Sequence, residues 1–185
     1  MPDLTRQYDL SELEIMCVDD SKNAHLILRE LLASLRIKKV HFFVEPDSAF
    51  RMLKVNKPDI VIIDLVLEAE DGHELIRRIR RDEDSTNPYV PILVLTSHTD
   101  EQQIVRARDA GATEVLRKPI SIKSLYDRLI WMIEKPRPFI RAEGYVGPDR
   151  RRKMREFAGS EKRMTAARAN HRPEGPGRES EAARS

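Results

Sequence analysis

The stretch PDIVIIDLVLEAEDG, residues 58–72, decides the fold. Ile60, Val61, Ile62 and Ile63 are four consecutive β-branched residues. Such a run predicts a strand buried on both faces, as in a parallel sheet covered by helices above and below. Asp64 follows at once, and an ionised carboxylate is costly to bury. It belongs at the end of the strand, not in the middle of a core.

Further apolar runs of strand length are EIMCV (14–18), KVHFFV (39–44), PILVLT (91–96) and TEVLRK (113–118). Between them lie segments with helical spacing, at 23–35, 47–55, 73–82, 100–110 and 121–134. Asp20 or Ser21, Asp47, Asp100 and Ser121 are expected as N-caps, and Gly111 as the stop of the fourth helix. Strand and helix alternating in this way predict an α/β fold, a doubly wound parallel sheet built from right-handed crossovers. Ligands of such sheets sit outside the carboxyl ends of the strands. Asp64 stands at that edge.

The other strand ends supply matching chemistry. The first ends in Asp19 and Asp20, the fourth in Thr96 and Ser97, the fifth in Lys118 followed by Pro119. Three converging carboxylates repel one another unless a counter-charge is present. Mg²⁺ takes carboxylate oxygens and keeps open positions for a phosphoryl oxygen. Asp64 is then a nucleophile toward phosphorus. Asp19 and Asp20 are expected to hold the metal, with the carbonyl of Val66 completing its shell. Lys118 and the hydroxyl of Thr96 are placed to meet phosphoryl oxygens. Taken singly each residue has a plainer reading: an Asp pair caps helices, Lys-Pro makes turns, and Thr96 is a strand residue. The coincidence at four strand ends is what points to chemistry.

These residues carry a resemblance. With VDDS (18–21), Asp64 and Gly72, VLTSH (94–98), DAGATE (109–114) and RKPI (117–120), residues 10–135 resemble a receiver domain of the two-component response-regulator family. The resemblance implies a flavodoxin-like five-stranded sheet in the order 2-1-3-4-5. It implies phosphotransfer to Asp64 from a histidine kinase or phosphotransfer protein, with Mg²⁺ on Asp19 and Asp20, Thr96 as switch hydroxyl and Lys118 as phosphate partner. It also implies a signalling module rather than an enzyme, acting on an effector protein. Two positions depart from the family. Val115 stands where an aromatic is usual, three residues before Lys118, and Glu68 stands where proline is frequent. His98 matches a position that influences phosphoryl lifetime in similar receivers, or is simply an exposed loop histidine.

Composition divides the chain. Residues 136–185 hold 13 Arg or Lys against 7 Asp or Glu, a net of +6, whereas residues 1–135 hold 20 against 24, a net of −4. The basic segment is poor in large apolar residues and is expected to be a largely disordered tail. A short helix near 160–169 is the exception allowed for it. No DNA-binding pattern follows the receiver. Within YVGPDRRRK (145–153), Gly147-Pro148-Asp149 predicts a turn, with Tyr145 and Val146 as apolar anchors. Arg150, Arg151 and Arg152 present guanidinium forks suited to an acidic protein surface or to phosphates, as in nucleic acid or a cyclic dinucleotide. A solvated basic linker, and a tail folded back on the acidic EAED loop, are the other readings. Neither a signal peptide nor a membrane-inserting run is expected, which points to a cytoplasmic protein. The lone Cys17 is expected to be a small buried hydrophobe.

Overall fold

The structure, a computed structural model, describes residues 8–68, 71–97, 101–142 and 144–150. Five strands form the parallel sheet: β1 (Glu14–Val18), β2 (Lys39–Phe43), β3 (Ile60–Asp64), β4 (Ile92–Thr96) and β5 (Glu114–Arg117). Their order is β2-β1-β3-β4-β5, the flavodoxin-like arrangement. The helices between them are α1 (Lys22–Ser34), α2 (Pro46–Leu53), α3 (Gly72–Arg81), α4 (Glu101–Ala110) and α5 (Ile122–Glu134).

The isoleucine run does what its composition demands. Every residue of β3 is buried, and the alternation of a strand sends neighbours to opposite cores. Val61 and Ile63 pack with Leu75, Ile76 and Ile79 of α3, while Ile60 and Ile62 pack with Leu28 and Leu32 of α1 and Leu125 and Leu129 of α5. Cys17 lies in the second core, and burial pushes its thiol well above the ordinary range. It is a packing residue.

Helix ends follow local chemistry. Ser21 caps α1 by accepting from the Ala24 amide, and Ser121 forms a capping box with Ser124 on α5. Gly111, at φ 114°, ends α4. The expected cap at Asp47 is corrected: Pro46 opens α2, so Glu45 holds the cap position without a side-chain bond. Asp47 sits one residue inside and pairs with Arg78 at 2.9 Å. Asp71, inside the acidic loop, caps α3 by accepting from the His73 amide. Asp100 and the 160–169 segment lie outside the described residues.

The expected boundary at residue 135 is also corrected. The compact unit runs to Arg150, because β6 (Phe139–Ala142) and β7 (Tyr145–Pro148) form an antiparallel hairpin on α3 and α4. The reason is apolar burial: Tyr145 is 7% exposed, and Phe139 meets the edge of Tyr89 at 5.5 Å. Gly147 and Pro148 belong to β7 instead of a turn, and the reversal falls before Tyr145, where Gly144 has φ 76°. The Tyr145 hydroxyl donates to the Pro148 carbonyl at 2.7 Å, and the Asp149 amide to that of Pro138 at 2.8 Å.

Beneath the hairpin lies Arg80, only 2% exposed. Its guanidinium donates to the carbonyls of Gly111 (2.9 Å), Pro88 (2.8 Å) and Val90 (2.7 Å), with the Phe139 ring 5.0 Å away. Burial lowers its pKa to about 9, so the cation persists at neutral pH.

Candidate functional site

The carboxyl ends of β1, β3, β4 and β5 lie side by side by register: Val18 pairs with Ile63, Asp64 with Leu95, and Thr96 with Arg117. Residues just past those pairs therefore meet. Lys118 Nζ donates to Asp64 Oδ2 at 2.5 Å and to Asp19 Oδ2 at 3.2 Å. Asp19 is 1% exposed and Asp64 8%. The other oxygen of each carboxylate is held by backbone: Asp19 Oδ1 accepts from the Ser21 amide at 2.9 Å, and Asp64 Oδ1 from the Val66 amide at 3.1 Å. Asp20 Oδ2 accepts from the Glu68 amide at 2.7 Å. Thr96 is fully buried, and its carbonyl receives the Lys118 amide at 2.8 Å.

Gly72 closes the loop that leaves Asp64. Its amide donates to the Leu65 carbonyl at 3.1 Å, and a Cβ there would lie 2.4 Å from the Asp64 carbonyl. Only glycine allows that approach. His73, 2% exposed, pairs with Asp71 at 2.5 Å and braces the same loop from the helix side.

The electrostatics are unbalanced toward negative charge. Burial raises the Asp19 carboxyl above the ordinary range, and the neighbouring Asp64 adds to the rise against the pull of Lys118. Burial opposes the Lys118 ammonium, but the Asp64 and Asp19 carboxylates outweigh it and hold its pKa above normal. Three carboxylates face one lysine. Among the described residues no three His, Cys, Asp or Glu are grouped to hold a metal by themselves, because Lys118 stands between Asp19 and Asp64 and Asp20 engages the Glu68 amide. The donor set still suits a hard divalent cation: its side-chain donors are carboxylate oxygens, and three carboxylates outnumber the one ammonium.

Residues 15–130 match the family described as response regulator receiver domain. The chain belongs to that family. The response regulator MprA of Mycobacterium avium (strain 104) is 31% identical over 128 residues, 68% of this chain and 53% of that protein. The chain spans about half the length of the curated relatives it matches. A putative response regulator from Chloroflexus aurantiacus superposes with a TM-score of 0.61 at 26% identity, covering 66% of this chain and 98% of that one. The receiver domain of the sensor histidine kinase PA1611 of Pseudomonas aeruginosa, solved with a magnesium ion in its active-site cleft, gives a TM-score of 0.57 at 26% identity, over 64% of this chain and 94% of that one.

The receiver thus brings Asp19, Asp64 and Lys118 into contact, with Asp20, Val66 and Thr96 on the adjoining strand ends and loops. Val115 is partly buried against the core on the α3 and α4 side of the sheet. Arg150 is elsewhere: it pairs with Asp109 at the end of α4 and lies 4.5 Å over the Tyr145 ring. That pairing engages one of its guanidinium nitrogens with α4. Arg151, Arg152 and His98 lie outside the described residues. Sequence reasoning missed Arg80, which RRIRRDED disguises as one more solvated charge. Among the described residues no helix is long and apolar enough to cross a membrane.

Proposed function

We propose that this receiver takes a phosphoryl group on Asp64 from the phosphohistidine of a histidine kinase or phosphotransfer protein, and signals through protein contacts that depend on it. The observation that carries the reading is Asp64 at the end of the central strand, with the Lys118 ammonium at 2.5 Å and the buried Asp19 across it. A carboxylate oxygen of Asp64 attacks phosphorus, the P–N bond breaks, and the imidazole leaves with its electron pair. The product is an aspartyl phosphate. Lys118 is placed to follow the transferred phosphoryl oxygens, and the Thr96 hydroxyl at the next strand end to meet another. Asp19, Asp20, Asp64 and the Val66 carbonyl would hold Mg²⁺, which when bound neutralises charge on the phosphoryl group. The magnesium-bearing PA1611 receiver supports that choice.

Intact-mass measurement after incubation with acetyl phosphate and Mg²⁺ tests the reading. One phosphoryl group should be gained, and Asp64→Asn or removal of Mg²⁺ should abolish the gain. Undiminished labelling of the variant would sink the assignment.

A further inference from the structure

We propose that the β6–β7 hairpin is a strap across α3 and α4 that restrains α4 and thereby slows use of the phosphoacceptor site. The inference rests on the phosphotransfer reading for its second half. α4 is thinly anchored: it buries Ile104 and two alanines, Ala107 and Ala110, whereas α5 buries Leu125, Leu129, Ile130 and Met132. Stabilisation scales with apolar area buried, so α4 has a weaker hold on the sheet than α5 and a lower cost of local opening. It is also the helix that follows β4, whose last residue is the buried Thr96 of the site.

The hairpin supplies the missing hold at the carboxyl end of α4. A Cβ on Gly147 would lie 3.0 Å from the Gly111 Cα, and one on Gly111 would lie 2.9 Å from the Val146 carbonyl, so backbone packs on backbone at the turn after α4. Arg150 reaches Asp109 of α4 while stacking on Tyr145. The other flank is fastened to α3: Arg81 donates to the Gly144 carbonyl, and Arg80 lies under Phe139. One short hairpin therefore ties the two helices together at this end. If phosphoryl acceptance is coupled to a displaced α4, the docked strap lowers the population of that state, and apparent reactivity falls in proportion.

Gly147→Val tests this, because its side chain would meet Tyr145 Oη at 2.6 Å. Asp109→Ala is the milder partner, removing one half-exposed ion pair and no core contact. Arg141→Ala, on the exposed strand, is the control. Amide exchange across residues 101–110 and the rate of phosphoryl gain from acetyl phosphate are read together. Gly147→Val should raise α4 exchange by about tenfold or more and speed phosphorylation several-fold, with Asp109→Ala between it and the control. Should Gly147→Val fail to fold, Asp109→Ala carries the test alone. Faster exchange without faster phosphorylation, or no change in either, overturns the strap as a regulator. Absence of labelling in the unaltered chain would instead remove the phosphotransfer reading. The α4 exchange would then still decide whether the hairpin restrains the helix.

Discussion

Lys118 holds two buried carboxylates apart, and its removal is the sharpest probe of the site's charge balance. Without the ammonium, Asp19 and Asp64 face each other with no counter-charge, and the Asp19 carboxyl, already raised by burial, rises further. A carboxylate whose folded pKa is raised favours folding in its protonated form, so that stability fades as pH climbs through the folded value. Lys118→Ala should therefore melt lower at about pH 7.5 than at about pH 4.5, and Mg²⁺ should restore much of the loss at the higher pH by binding only the folded state. Thermal melts at both pH values, with and without MgCl₂, check this. An equal loss at both pH values with no rescue would place the carboxylates outside any shared site. Asp64, Asp19 and Lys118 were legible because each ends a strand, and a parallel sheet sends all strand ends to one edge. The bonds that hold Asp19 and Asp64 were not legible. Which amide each oxygen accepts depends on loop geometry that no spacing rule specifies.

At the scale of elements, the strands and helices followed from periodicity, and the errors fell where a local rule competed with another. Asp47 is a good cap residue, but Pro46 fixes the first helical position and moves the cap back to Glu45. Arg80 was invisible for a different reason: six of the seven residues from Arg77 to Glu83 are charged, four of them arginines, and only tertiary packing selects the one that goes inside. Once inside, it satisfies three carbonyls on two connections, those of Pro88 and Val90 before β4 and of Gly111 before β5. Arg80→Lys keeps the charge but loses the fork, so buried carbonyls go unpaired at about 1–3 kcal/mol apiece. The urea midpoint of that variant should fall by the equivalent of about 2 kcal/mol or more, with little change in slope. A loss no larger than that of an exposed substitution such as Arg77→Lys would show that the three carbonyls find other partners.

For the whole molecule, the question is where the folded unit ends. Composition placed the boundary at residue 135, since charge changes sign there and large apolar residues thin out. A weaker signal ran against it: FIRA and YVGP are two short strand-like pieces separated by Glu143-Gly144, a two-residue hairpin connection. The apolar content of those pieces is small, but Phe139 meets two side chains the body already presents, Tyr89 and Arg80, and Tyr145 is buried. A chain ended after Arg150 keeps every core contact described above and should then unfold within about 0.5 kcal/mol of the full chain. A chain ended after Lys135 uncovers Arg80 and loses both aromatic contacts, and should be less stable by about 2–4 kcal/mol, because one buried aromatic side chain contributes about 1.5–3 kcal/mol. Urea unfolding of the three lengths measures this directly. Equal midpoints for all three would return residues 139–150 to the tail. A drop only for the shortest chain would make the hairpin part of the receiver's own core.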